Sequence, residues 1–262
     1  MRSPALMLAL AICCGAPAAA ADQPPGNPDT IHVNATRDPE VRKYAAIVAG
    51  LDSFDKHRHL APKVDVLRFR IEARGAAPQA LQPVARIEGE DGFVLPLEVD
   101  EDGRFTVPRS EAALHARGEL TLNQKRRDYR VVPIIRSPGL AKNQRRLGDL
   151  RLTCKVNVAI AKEEIALFWV LTVNTLLRST DWCSFFDTPD TKFTFRTGQK
   201  LAGAVLHEGE RSLKLDIEGR DFRIHLVDEH WSDDALVELE FATPAPAEAA
   251  TGTAAETPRT GT

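Results

Sequence analysis

Apolar and polar residues alternate with a period of two through most of the chain. Val64, Val66, Phe69 and Ile71 lie among charged residues, the pattern of strands with one buried face. Further strands are predicted at 84–87, 93–99, 104–107, 119–122 and 129–135. Glu90-Asp91-Gly92 and Asp100-Glu101-Asp102-Gly103 supply turns between them. Leu150, Leu152 and Cys154 alternate with Arg151, Thr153 and Lys155, which predicts another strand. Strands follow around Phe193 and Phe195, at 201–206 and 213–217, at Phe222, Ile224 and Leu226, and at Val237, Leu239 and Phe241.

Two stretches depart from this rhythm. Asp38-Pro39-Glu40 reads as a helix start, with an N-cap acid and proline in the first turn. Val41, Tyr44, Ala45, Val48 and Leu51 then recur at helical spacing. Residues 165–177 are almost wholly apolar. At 13 residues the run is shorter than a membrane span of about 20, so it predicts a buried helix, with a pair of strands as the alternative. The expected fold is therefore β-rich and mainly antiparallel, becoming α+β in the second half. A sandwich-like N-terminal lobe is joined to a smaller, disulfide-containing lobe.

One segment resembles a known family. Asp102-Gly103-Arg104-Phe105-Thr106-Val107-Pro108 follows an alternating strand and is similar to the Asp-Gly-x-Phe signature of transthyretin-like and carboxypeptidase-regulatory-like β-sandwich modules. The resemblance spans about residues 64–136, with Tyr129–Ile135 where such modules carry a closing strand. The connection 109–118 is longer than the family's pattern. The resemblance implies a non-catalytic module in which Phe105 enters the core, and it brings no site residues.

The first 21 residues carry the marks of a cleavable export signal. Arg2 precedes an apolar stretch, Ala5–Cys14, and Ala18–Ala21 supply small residues before Asp22. Cleavage is placed after Ala21, and the mature chain is expected in the periplasm or outside the cell. A lipoprotein signal is the alternative, though Ile12 before Cys13, and Cys13 before Cys14, suit it badly. Residues 22–30 read as a linker, and Ile31 and Val33 as a short strand. The lobes are expected at 31–137 and 147–241, joined by a linker at 138–146. The tail, 242–262, is rich in Ala, Thr, Pro and Glu and is expected to be disordered.

Export changes the reading of the cysteines. Cys13 and Cys14 leave with the signal, and the remaining Cys154 and Cys183 are expected to form a disulfide in an oxidising compartment. The loop it closes is about 30 residues, worth roughly 3–4 kcal/mol in the chain-entropy view.

Charge and chemistry narrow the function classes. The whole chain carries a net charge of −3, so nothing draws it as a whole to nucleic acid. It has no Gly-x-Ser-x-Gly elbow, phosphate loop, dinucleotide fingerprint or Cys-x-x-Cys pair. His57-Arg58-His59 is explained by a helix end, where cations are favoured. No metal site or cofactor is expected.

The densest set of acid/base groups is His225, Asp228, Glu229, His230, Asp233 and Asp234, with Trp231 among them. His225, Asp228 and His230 are the residues of an alternative reading, a hydrolytic enzyme with an acid/base or metal site in the 225–234 loop. The strongest local anomaly is basic. Between Gln124 and Lys155 stand ten Lys or Arg against two Asp, and Arg126, Arg127, Arg145 and Arg146 are the candidate contacts to an anionic partner. Folding could instead pair these charges with the acid-rich stretch 88–102. The reading that results is an exported, non-catalytic envelope protein that binds an anionic envelope component or another envelope protein. No nucleic acid and no transmembrane helix in the mature chain are expected.

Overall fold

The computed structural model describes residues 37–75, 83–177, 179–185 and 192–243. The expected export signal, the expected linker at 22–30, the expected strand at Ile31 and Val33, and nearly all of the expected tail lie outside the described residues. In chain order the elements are β1 (Pro39–Lys43), α1 (Tyr44–Lys56), β2 (Arg68–Ala73), β3 (Ala85–Glu88), β4 (Val94–Leu97), β5 (Arg104–Phe105), α2 (Glu111–His115), β6 (Glu119–Lys125) and β7 (Tyr129–Ile134). They continue with β8 (Gln144–Arg146), α3 (Leu147–Glu164), α4 (Leu167–Leu177), α5 (Trp182–Phe185), β9 (Phe193–Arg196) and β10 (Leu201–Glu208). The last are β11 (Arg211–Lys214), β12 (Asp216–Glu218), β13 (Asp221–Ile224) and β14 (Leu236–Phe241).

The fold is β-rich, as the alternation predicts. Its strands form four antiparallel sheets, ordered β1-β6-β3-β4, β5-β2-β7, β11-β10-β14-β8 and β12-β13-β9. The first two sheets share one core, in which Leu67, Phe69, Ile87, Phe105, Leu120, Leu122 and Val131 meet the buried face of α1. The Asp100–Gly103 turn is held by the Asp100 carboxylate, which accepts from the backbone N–H of Asp102 and Arg104. Gly103 takes a positive φ of 73° there, a conformation that favours glycine. The turn delivers Phe105 into the core, stacked on Phe69 with ring centroids 5.9 Å apart. The other two sheets share a second core, with Leu201, Leu206, Phe222, Ile224, Trp231, Val237 and Leu239.

Three local expectations are corrected. The first helix begins at Tyr44, five residues after Pro39. Residues 39–43 instead pair with β6 as a strand, Val41 opposite Thr121 and Lys43 opposite Glu119. Proline at the head of an edge strand costs no ladder bond, so the helix-start reading had a strand competitor. In the stretch from Val64, the strand begins at Arg68, and Val66 is exposed while Leu67 and Phe69 are buried.

The third correction is the largest: residues 150–154 are helical, within α3. Leu147, Leu150 and Cys154 enter the second core, and Leu152, Val156 and Ile160 enter the first. At about 100° per residue these two sets lie on opposite sides of one helix. A helix buried on both faces imitates a strand's alternation over five residues.

Close approach seats α3. A Cβ on Gly148 would overlap the Leu60 carbonyl oxygen, and one on Gly50 of α1 would lie 2.8 Å from Ile160. At the N-terminal turn of α3, Asp149 is completely buried and accepts from the Ser137 N–H and hydroxyl, both at 2.7 Å.

Candidate binding site

A short helical excursion follows α3. The chain leaves α3 at Glu164, forms α4, and returns in α5, where Cys183 lies 2.17 Å from the sulfur of Cys154. Their Cα atoms are 6.1 Å apart, so the cysteine pair expected from the sequence stands at disulfide distance. Beside it Asp181 collects Lys155, the Ser184 hydroxyl and the Cys183 N–H. Burial opposes ionisation of Asp181, but its bonds to Lys155 and Ser184 outweigh that and hold its carboxyl below the usual range.

A cavity of about 500 Å³ opens between this excursion and the loop after β13, lined by Leu60, Arg151, Lys155, Cys183, Leu226 and Trp231 among others. Arg151 organises the loop. Its guanidinium donates to the carbonyls of Leu226, Asp228 and Trp231 and to the Asp233 carboxylate. One arginine on a rigid helix thus replaces the hydrogen bonds that residues 226–233 cannot make as a strand. Arg211 lies over the outer face of Trp231, 4.9 Å from the ring centroid.

The residues of the hydrolytic reading fall in this region. His230 Nδ1 lies 2.7 Å from Asp228 Oδ1, and the His230 N–H donates to the same oxygen. Burial opposes ionisation of Asp228, while these bonds and the charge of His225 lower its carboxyl overall. This is the geometry of an Asx turn with an exposed imidazole at its tip. Two serines line the cavity: Ser184 donates to Asp181, which Lys155 already occupies, and Ser232 donates to Glu208. Among the described residues no three His, Cys, Asp or Glu side chains stand together as a metal site.

The basic segment is dispersed by folding. Arg130 pairs with Glu72, Arg146 with Asp234, Arg151 with Asp233 and Lys155 with Asp181. None of these acids belongs to the stretch 88–102. Arg136 and Arg145 donate to backbone carbonyls, and burial lowers the Arg145 guanidinium to about 10. Arg126 and Arg127 remain exposed, on the β6–β7 turn. Of the four candidate contacts, Arg126 and Arg127 are exposed at a hairpin tip, while Arg145 and Arg146 are partly covered and bonded to neighbouring groups.

The expectation of a buried helix at 165–177 is also overturned. The helix exists as α4, but none of its residues is buried. Leu167 is 71% exposed, Phe168 69%, Trp169 59% and Leu176 79%. Only Val170, Val173, Asn174 and Leu177 are partly covered. Length and hydropathy could not distinguish this from a core helix, because both kinds of helix are written with the same residues.

No protein-family model, curated protein or solved structure matches the chain.

Proposed function

We propose that this protein is exported and works in the cell envelope by binding, without chemistry of its own, and that it docks through the α4 side of the molecule. The observation that carries the reading is the exposure of α4. An uncovered apolar patch of this kind on a folded protein marks an interaction surface. Two features agree with it. The N-terminal sequence has the form of an export signal, and a cysteine pair at bonding distance suits an oxidising compartment. In the cavity beside the 226–233 loop, Arg151, Lys155, Asp181 and Ser184 are engaged with one another, with Asp233 or with backbone, an arrangement that stabilises a loop rather than turns over a substrate. Lys125, Arg126 and Arg127, exposed on the β6–β7 turn, offer an accessory contact to anionic groups.

Cell fractionation of the full-length chain tests this reading. The expected result is a processed protein in the envelope fraction, released to the soluble periplasm by Phe168→Asp with Trp169→Asp. Retention in the cytoplasm, or envelope association that ignores the α4 substitutions, would overturn it.

A further inference from the structure

We infer that α4 seats in a lipid surface, lying within one leaflet. The inference deepens the proposed function and takes from it only the setting, a cell envelope. At about 1.5 Å per residue, the 11 residues of α4 extend about 16 Å, half of a hydrocarbon core of about 30 Å. Among the described residues no helix is long and apolar enough to cross a membrane.

Three observations favour lipid over a protein groove. The first is coverage. At about 100° per residue, the exposed residues Leu167, Phe168, Trp169, Leu171, Thr172, Thr175 and Leu176 spread over more than half the helix circumference. A groove wets one side of a helix, whereas a fluid phase surrounds the whole exposed arc.

The second is the state of the polar groups. Thr172 donates its hydroxyl to the Phe168 carbonyl at 2.8 Å, and Thr175 donates to Leu171 at 2.8 Å. Asn174 accepts from the Trp182 indole N–H at 2.9 Å. The hydroxyls and the amide oxygen find partners within the excursion, which is what entry into hydrocarbon requires.

The third is area. Pairing two such helices side by side covers on the order of 300 Å² per partner, given a helix about 10 Å wide. A stable protein interface takes about 800 Å² per partner, so a second copy docked on α4 alone falls short.

The base of the excursion suits the headgroup level. Lys162 lies 4.9 Å over the Trp182 ring and donates to the Thr180 carbonyl, combining the cation and the aromatic found at membrane interfaces. Glu164 is paired with Arg42 and Asp181 with Lys155. These charges nearly cancel, so the attraction is apolar and weakly dependent on salt.

The test is partition of the purified exported protein onto phosphatidylcholine vesicles, with and without phosphatidylglycerol, read by sedimentation and by tryptophan quenching with brominated lipid. Binding is expected to both compositions, to change less than threefold between low and high salt, and to fall at least tenfold in Phe168→Asp with Trp169→Asp. Quenching should fall sharply in Trp169→Phe while binding persists, leaving the shallower signal of Trp182, since Trp231 lies in the second core. Because both residues are exposed, an unchanged thermal melt should certify that the variants fold. Absence of binding to either vesicle overturns the inference, as does a concentration-dependent dimer lost in the α4 variant without vesicle binding. A protein that fractionates with the envelope yet ignores vesicles would retain the proposed function and lose this inference. A protein that binds vesicles but stays in the cytoplasm would do the reverse.

Discussion

The helices α3 and α4 follow one another in the chain and have opposite fates. α3 is laced with Arg, Lys, Asp and Glu, yet it buries Leu147, Leu150 and Cys154 on one side and Leu152, Val156 and Ile160 on the other. α4 carries no charged residue and buries nothing. Average hydropathy therefore ranks the two in the wrong order. Burial follows from the walls that the rest of the fold provides, and two sheet pairs provide walls for α3 only. Its covered charges survive because they reach partners beyond the helix: Asp149 reaches Ser137, Arg151 reaches the loop after β13, and Lys155 reaches Asp181.

Several substitutions would break or sharpen this contrast. The greatest loss is expected from Leu152→Ala, which opens a cavity in the first core and should cost about 2–5 kcal/mol in urea unfolding. If it cost no more than an α4 substitution, the two-faced burial of α3 would be wrong. Reduction of the Cys154–Cys183 link, or Cys154→Ala with Cys183→Ala, should remove about 3–4 kcal/mol, read as a lower melting temperature in the presence of reductant. Gly148→Ala forces a methyl group toward the Leu60 carbonyl and should cost about 1–3 kcal/mol. A neutral result would show that α3 can shift away from the Leu60 turn.

Acid sensitivity is a smaller effect. Burial opposes ionisation of Glu72, but bonds from Arg70 and Arg130 prevail and hold its carboxyl below the ordinary 4.5. The unfolded chain then binds the proton more readily than the native one. The stability contributed is whole above about pH 4.5 and is lost as pH falls through the depressed value. Glu72→Gln should flatten the melting temperature between pH 5 and 3, by less than about 1 kcal/mol for so shallow a site. An unaltered acid slope would remove Glu72 from the account. Smallest of all, Leu171→Ala on α4 should change stability by no more than about 0.5 kcal/mol, although the same substitution type in α3 is severe.

Much of the sheet structure was legible because a half-buried strand writes its geometry directly into the sequence. Phe193 and Phe195, Phe222 and Ile224, and Val237 and Leu239 alternate as their strands require. The cysteine pair was legible once export was assumed. α3 was not, because five residues of a doubly buried helix carry no period that separates them from a strand. The exposure of α4 was not either, since hydropathy records what a segment prefers and not what is available to cover it. Its three polar residues, Thr172, Asn174 and Thr175, were the one signal present, and their meaning depends on hydrogen bonds that only folding reveals. The Arg151 clamp was similarly hidden: the sequence shows a basic residue in a basic run, while its four acceptors arrive from residues 226–233.

The double burial of α3 has a consequence for how this protein can change over generations. A residue on one side of the helix cannot grow or shrink without moving the side that serves the other core. The sheet pairs before and after α3 must therefore accept substitutions in concert, and neither can be exchanged for a foreign counterpart unless the helix is redesigned with it. α4 makes no such demand on its neighbours. It is free to lengthen, shorten or alter its apolar surface, so the helix most exposed to solvent is also the one that can be revised at least cost.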